Sequence, residues 1–92
     1  MTTIQHTITI RLTRQAAAQS LGITMTRLVK YERLGLVEPA IENRRPVYGP
    51  GELARVRKIR RLVDDLGVNL AGVEIILRLL DQMADLEPRA RP

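Results

Sequence analysis

The sequence predicts a small, mainly α-helical domain with four helices and a short β wing. Two short helices joined by a Gly-containing turn are predicted before residue 36, and two longer apolar repeats of helical period follow residue 51. A broken stretch with two strand-like pieces lies between them. A helix-turn-helix flanked by such a hairpin is a winged helix-turn-helix. We therefore expect one such domain over residues 1–92, with residues 1–10 and 88–92 flexible.

The chain opens with an alternating stretch, His6–Leu12, in which apolar and polar residues take turns. Period-two alternation predicts a short strand there. Thr13 then begins the first helix, which is expected to run to Ser20. The tripeptide Leu21-Gly22-Ile23 is the predicted turn of the helix-turn-helix.

The second helix has signals at both of its ends. Thr24 can cap its start through the hydroxyl, Gly35 can supply a left-handed residue just past its end, and Pro39 forbids continuation. Its apolar positions recur at i, i+3 and i+6, and its cations lie outside that stripe. The expected inward residues are Leu28, Tyr31 and Leu34, and the outward or flanking cations are Arg27, Lys30 and Arg33.

The segment after this helix predicts the wing. Leu36-Val37 and Val47-Tyr48 are interpreted as two short strands on either side of the polar tip Glu42–Arg45. Gly49-Pro50-Gly51 ends the wing and leads into the next helix.

Two longer helices complete the predicted domain. One spans Glu52–Leu66 and is stopped by Gly67, and the other spans Leu70–Glu87 with Asn69 as its cap. The expected inward residues of the former are Leu53, Val56, Ile59, Val63 and Leu66, and its cations, Arg55, Arg57, Lys58, Arg60 and Arg61, either reach flanking phosphates or only solubilise the helix.

The last helix carries more apolar residues than one buried face needs. Val73, Leu77, Leu80 and Ala84 form one stripe, and Ile75, Ile76, Leu79, Met83 and Leu86 spread beyond it. The surplus of apolar residues indicates dimerisation or a protein partner. Alternatively, the rest of this small domain packs around the helix and covers both faces.

The charge is unevenly distributed along the chain. Residues 1–63 hold twelve Lys and Arg against four Glu, whereas residues 64–92 hold three Arg against six acids. A basic body favours a polyanionic partner, with nucleic acid as the first hypothesis. The absence of Cys and of an apolar run of membrane-spanning length indicates a cytoplasmic protein without a membrane segment.

Catalysis and cofactor binding are not indicated. One His and no Cys cannot supply a nucleophilic triad or a Cys-based metal site, so we expect no enzyme, no metal and no cofactor. The single His6 is expected to be structural or disordered.

The motifs resemble a known family. Tyr31-Glu32-Arg33-Leu34-Gly35-Leu36-Val37-Glu38-Pro39, followed by Tyr48 and by Asp65-Leu66-Gly67-Val68-Asn69-Leu70-Ala71-Gly72-Val73, is similar to the MerR superfamily of winged helix-turn-helix proteins. The last block looks most like the branch of the heat-shock repressors and the CbpM-type chaperone modulators.

The resemblance implies a DNA-binding transcriptional regulator, and we expect it to be a homodimer because one such unit reads only a few base pairs. In such regulators the second helix and the wing contact duplex DNA, and the matching positions here are Arg27, Lys30, Tyr31, Arg33, Arg44 and Arg45. This chain departs from the family pattern in two places. Val29 stands where the family usually has Arg, and Pro46 stands where the wing usually carries Arg.

The departures keep a second function open, because CbpM-type modulators share this fold and bind the J-domain of a DnaJ-like co-chaperone. A basic J-domain helix would require an acidic surface on its partner. The corresponding candidate contacts on the last helix, which also serve a dimer, are Ile75, Ile76, Leu79, Asp81, Met83 and Asp85.

Overall fold

The computed structural model describes residues 10–86 and confirms the predicted mainly α-helical fold with a small antiparallel sheet. The helices are α1 (Arg14–Leu21), α2 (Met25–Arg33), α3 (Pro50–Arg60) and α4 (Leu70–Leu86). A π-helical turn, Arg61–Asp65, continues α3, and the strands are β1 (Leu12–Thr13), β2 (Ala40–Glu42) and β3 (Arg45–Tyr48). His6 and Glu87 lie outside the described residues. The ends that were predicted to be flexible, residues 1–10 and 88–92, also lie outside them, except for residue 10.

The start of the chain forms less strand than predicted. Of the expected strand His6–Leu12, residues 6–9 lie outside the described part, and residues 10 and 11 are not in a strand. The strand that does form is β1, because Leu12 and Thr13 pair with Tyr48 and Val47 of β3. Thr13 also caps α1, since its Oγ1 accepts a hydrogen bond from the Ala16 N–H at 3.1 Å.

The helix-turn-helix forms within one residue of the prediction, since Leu21, predicted in the turn, is the last residue of α1. Gly22 takes a left-handed φ of 70° at the end of α1. The Thr24 hydroxyl accepts from the Arg27 N–H at 3.0 Å at the start of α2, and Gly35 has a φ of 74° after its end. Leu34 was predicted to face inward, and this is wrong, because it lies beyond the last helical turn and is 49% exposed.

The wing is a three-stranded antiparallel sheet in the order β1-β3-β2. The hairpin closes with Glu42 opposite Arg45, so its turn contains only Asn43 and Arg44, whose φ values are 51° and 65°. Two consecutive positive φ angles are the signature of a type I′ turn. The predicted strand at Leu36-Val37 is wrong.

Leu36 and Val37 are both buried, whereas a strand with one face in solvent would expose one of them. Their backbone is held in another way. The Leu36 carbonyl accepts a hydrogen bond from Arg55 Nε at 2.6 Å, so a side chain replaces a strand partner. The apolar character of the pair therefore reflects core packing and not sheet pairing.

The described chain forms two compact units, one up to residue 57 and one from residue 58. The first unit contains the sheet, α1, α2 and most of α3. Its core is aliphatic with two tyrosines, and its buried residues are Ala17, Ala18, Leu21, Leu28, Tyr31, Leu36, Val37, Tyr48, Leu53 and Val56.

The segment predicted as the single helix Glu52–Leu66 is not one regular α-helix in the structure. The backbone changes to π-helix at Arg61, and the Leu66 N–H donates to the Arg61 carbonyl at 3.2 Å. A π turn inserts one extra residue and rotates the residues after it around the helix axis. Leu66, predicted to face inward, is consequently 66% exposed.

The start of α4 is capped as predicted. Asn69 Oδ1 accepts a hydrogen bond from the Gly72 N–H at 2.8 Å. Of its predicted inward stripe, Val73 and Leu77 are buried, whereas Leu80 is 37% exposed and Ala84 is exposed. The buried face of α4 is therefore confined to its first two turns.

Candidate nucleic-acid interface

The outward face of α2 forms the first part of the candidate interface. Its side chains line a shallow surface depression; they are Met25, Thr26, Val29, Lys30 and Arg33. Leu28 and Tyr31 lie on the buried side of the same helix. The helix therefore presents two of the predicted contact residues, Lys30 and Arg33, on a continuous exposed surface.

Arg27 and Tyr31 form a pair along one side of α2. Arg27 Nε donates a hydrogen bond to the Tyr31 hydroxyl at 2.5 Å, and its guanidinium carbon lies 5.6 Å from the ring centroid. Tyr31 itself is only 2% exposed. It is thus placed to orient Arg27 and has little surface of its own to offer a ligand.

The hairpin tip forms the second part of the interface. Arg44 occupies the second position of the turn and Arg45 the first position of β3, and both are exposed. Positive φ is uncommon for a residue other than glycine, and Arg44 adopts it at the tip of the hairpin. The wing therefore projects two cations at its end.

An ion pair across the sheet adds a further cation beside the wing. Arg11, just before β1, pairs with Glu42 at the end of β2. The pair spans β3, the central strand. Sequence reasoning missed Arg11, because its neighbour is 31 positions away and no local pattern links them.

A partly buried carboxylate joins three elements of the domain. Glu32 on α2 accepts from Arg14 of α1 through two bonds, Nη2 to Oε1 at 2.8 Å and Nε to Oε2 at 3.1 Å. The Tyr48 hydroxyl of β3 donates to the same Oε2. This network, named here the Glu32 network, fixes α2 against α1 and the wing.

The three groups shift one another's acidity. Burial alone would raise the pKa of Glu32, but hydrogen bonds from Arg14 and Tyr48 and the charge of Arg14 lower it below its usual value. Burial and the hydrogen bond to Glu32 raise the pKa of Tyr48 far above its usual value. The hydrogen bond to Glu32 likewise raises the pKa of Arg14. The network is held as carboxylate, phenol and guanidinium.

The predicted partner-binding residues of α4 separate into two surfaces. An apolar stripe, defined by Ile75, Leu79, Met83 and Leu86, is 52–82% exposed, and Ile76 beside it is partly buried. Asp81 and Asp85 are exposed as well. At about 100° per residue, Asp81 lies about 200° around the helix from Leu79. The structure therefore does not bring the apolar and acidic candidates together.

A third acidic residue lies on the same side of α4 as Asp81 and Asp85. Glu74 lies about 20° around the helix from Asp81 by the same helical spacing and is exposed. It also pairs with Arg78 one turn later at 3.4 Å. Glu74, Asp81 and Asp85 define the acidic face of α4.

The comparison with known proteins gives the family of the chain. Residues 12–91 match the MerR HTH family of regulatory proteins. The chain belongs to this family. It is also 40% identical over 77 residues to a Streptomyces coelicolor protein whose name describes it as a heat shock protein, HspR. The alignment covers 80% of this chain and 50% of HspR, so the chain spans about half the length of that MerR-family relative.

Two further features of the described residues bear on partners. None of the helices within residues 10–86 is both long enough and apolar enough to cross a membrane. In that same range, His, Asp and Glu side chains do not gather in a group of three that could hold a metal ion.

Proposed function

We propose that this MerR-family chain is a DNA-binding transcriptional regulator of the heat-shock type. The outward face of α2 would enter the major groove, and the wing would contact the phosphate backbone. The observation that carries the proposal is the exposure of its cations: Lys30 and Arg33 line one depression on α2, and the hairpin ends in the exposed Arg44 and Arg45. Phosphate contacts from a wing orient a recognition helix, and that helix reads the bases.

The target genes and the assembly belong to the same proposal. The name of the S. coelicolor relative supports a role in the heat-shock response. We propose a homodimer joined through the apolar stripe of α4, because a single unit reads only a few base pairs and paired half-sites give useful affinity. We also propose that the protein catalyses no reaction. Its proposed location is the cytoplasm, where the DNA of a bacterial cell lies.

The direct test is duplex DNA binding at two salt concentrations. Fluorescence anisotropy compares a fragment from upstream of the protein's own gene with a scrambled duplex of equal length. We expect selective binding that weakens with salt, because each neutralised phosphate releases counterions. Equal affinity for both duplexes would contradict a sequence-specific regulator.

The wing is tested by the double variant Arg44→Ala, Arg45→Ala. If each arginine contacts one phosphate per protomer, the slope of log affinity against log salt becomes less negative by about 0.9 for each lost contact. The matched control is Arg78→Ala, which removes an exposed cation of α4 that pairs with Glu74. An unchanged slope in the double variant would remove the wing from the interface.

A second candidate function is favoured by the acidic face of α4. Glu74, Asp81 and Asp85 are exposed on one side of the helix, which suits a basic partner helix such as that of a J-domain. The variant Asp81→Lys, Asp85→Lys should abolish binding to a DnaJ-like co-chaperone in calorimetry while leaving DNA affinity unchanged. Co-chaperone binding that survives this reversal would rule out the acidic face as its site.

A further inference from the structure

The outward face of α2 changes chemical character along its length. Met25, in the first turn, is 43% exposed, and Val29 lies one turn further on the same face. Lys30 and Arg33 follow toward the C-terminal end, and these four side chains line the same depression together with the exposed Thr26. Residues i and i+4 are neighbours on a helix surface, so Met25 and Val29 form one apolar patch with cations beyond it.

The position of this patch matters for base reading. In helix-turn-helix proteins the N-terminal residues of the second helix contact base edges. The part of α2 that would reach the bases therefore presents hydrocarbon at Met25 and Val29, beside the hydroxyl of Thr26, and these two apolar side chains offer no hydrogen-bond donor. Guanine requires a donor for O6 and N7, and cytosine requires an acceptor for its amino group.

We propose that Val29 and Met25 contact the C5-methyl groups of thymine in the major groove, so that the preferred half-site holds T·A pairs opposite them. Among the major-groove edges of the four bases, the thymine methyl is the apolar group. The inference rests on the proposed function, since it requires that α2 enters the major groove. The flanking Lys30 and Arg33 hold the negatively charged duplex against the patch.

The two apolar residues have different roles in this contact. Val29 is β-branched and has a single preferred rotamer in a helix, so it fixes the position of one methyl group. Met25 is unbranched and flexible, and it therefore adapts to more than one base step. The thymine requirement is strict opposite Val29 and looser opposite Met25.

The experiment replaces thymine by uracil, which keeps every hydrogen-bonding group and removes only the methyl. The best-binding duplex is first selected with the full chain from a random-sequence pool, and thymines are then replaced one at a time. Loss of one contacted methyl should weaken wild-type binding roughly fourfold, as expected for one buried CH₂-sized group. At one position the loss should disappear in Val29→Ala.

The controls separate methyl contact from other effects of the replacement. Arg45→Ala, at the wing, should weaken binding to the thymine and uracil duplexes equally and so leave their ratio as in the wild type. Val29→Thr, which keeps the branched shape and exchanges one methyl for a hydroxyl, should give an intermediate ratio. Circular dichroism melting verifies that each variant is folded.

The outcomes distinguish the inference from the function on which it rests. Selective DNA binding with equal affinity for thymine and uracil duplexes overturns the methyl contact and leaves the DNA-binding function intact. A methyl effect that persists in Val29→Ala likewise overturns the assignment to Val29. Failure to enrich any duplex would refute both the proposed function and this inference.

Discussion

At the scale of single residues, the Glu32 network explains how so small a chain holds its recognition helix. Phe, Trp and Cys are absent from the sequence, so packing is mainly aliphatic. Glu32 connects α1 through Arg14 and β3 through Tyr48. Charge-assisted bonds to a mostly buried carboxylate are stronger than those between neutral groups. One side chain therefore fixes α2 against two other elements of the domain.

We expect Glu32→Gln to lower the free energy of unfolding by about 1–3 kcal/mol at neutral pH, because Arg14 and Tyr48 lose their charged acceptor. Urea denaturation measures the change. Glu74→Gln is the matched control, since its exposed pair with Arg78 should be worth less than about 1 kcal/mol. Equal unfolding free energies of the wild type and Glu32→Gln would contradict a stabilising network.

The same residue predicts a dependence of stability on pH. The pKa of Glu32 is lowered on folding, so its contribution is fully present above the usual value of 4.5 and is lost as the pH falls through the lowered pKa. Thermal melting at a series of pH values measures this effect. The melting temperature of the wild type should approach that of Glu32→Gln as the pH falls below 4.5. A constant difference between the two proteins down to the acid limit would contradict this sign.

Tyr31→Phe tests whether a buried residue sets the position of a contact residue. The change removes the acceptor of Arg27 Nε and keeps the ring in the core. We expect DNA affinity to fall about 3- to 10-fold, the equivalent of one hydrogen bond, because Arg27 loses its fixed orientation. Arg27→Ala should cost at least as much, and the double variant no more than Arg27→Ala alone. Additive losses would show that Tyr31 acts independently of Arg27.

At the scale of elements, the wing combines local strain with exposed charge. Arg44 adopts a φ of 65° at the second turn position, where type I′ hairpins favour glycine. Backbone strain of this kind persists when the surrounding structure imposes it, and it often accompanies function. Arg44 therefore makes the turn less stable than glycine would, and it places a cation at the tip of the wing.

Arg44→Gly separates these two effects. Asn-Gly is the preferred type I′ pair, and glycine relieves the left-handed strain at this position, so we expect the free energy of unfolding to rise by about 0.5–1 kcal/mol. DNA affinity should nevertheless fall, because a phosphate contact is lost. Asn43→Gly is the control that relieves the neighbouring positive φ without removing charge. A stabilised Arg44→Gly protein with unchanged affinity would mean that Arg44 does not touch DNA.

Elements with local signals were predictable from the sequence. The caps Thr24 and Asn69 and the left-handed Gly35 lie within three or four residues of the helix ends that they mark. The π turn at Arg61–Asp65 was not predictable, because its residues continue an ordinary helical pattern. Leu36-Val37 was wrongly predicted as a strand, since two adjacent apolar residues are equally compatible with a buried irregular segment.

In the candidate site, too, features with local sequence signals were predictable and long-range contacts were not. Cations near α2 and the wing follow from spacing along one helix and one hairpin. The Glu32 network does not, because its three residues are 16 and 18 positions apart and meet only after the sheet has formed. Tyr31 was recognised as a stripe residue, but its bond to Arg27 depends on a rotamer that spacing alone does not specify.

At the scale of the whole molecule, the chain separates its charges by sequence position. The net charge is +8 over residues 1–63 and −3 over residues 64–92. In the described part, most cations lie on the helix-turn-helix, the wing and α3 with its π turn, and α4 carries the acidic face and the apolar stripe. Large exposed apolar patches on a small domain mark interaction sites. α4 thus has two faces that two different partners can use.

Leu79→Glu tests the homodimer at the centre of the apolar stripe. A buried charge without a partner is costly, so sedimentation should show the mass falling from twice the chain's 10.4 kDa to the single-chain value. Leu79 is 52% exposed, so the isolated chain should keep its helical signal in circular dichroism.

The control for this variant is Asp81→Lys, which changes charge about 200° around the same helix and should leave the dimer intact. Its expected defect is in co-chaperone binding alone, if that second function exists. Leu79→Glu should instead weaken binding to a duplex with two half-sites far more than binding to one half-site, because only the former requires both protomers. A wild-type chain that sediments as a monomer at all concentrations, with Leu79→Glu indistinguishable from it on both duplexes, would remove the apolar stripe as a dimer contact.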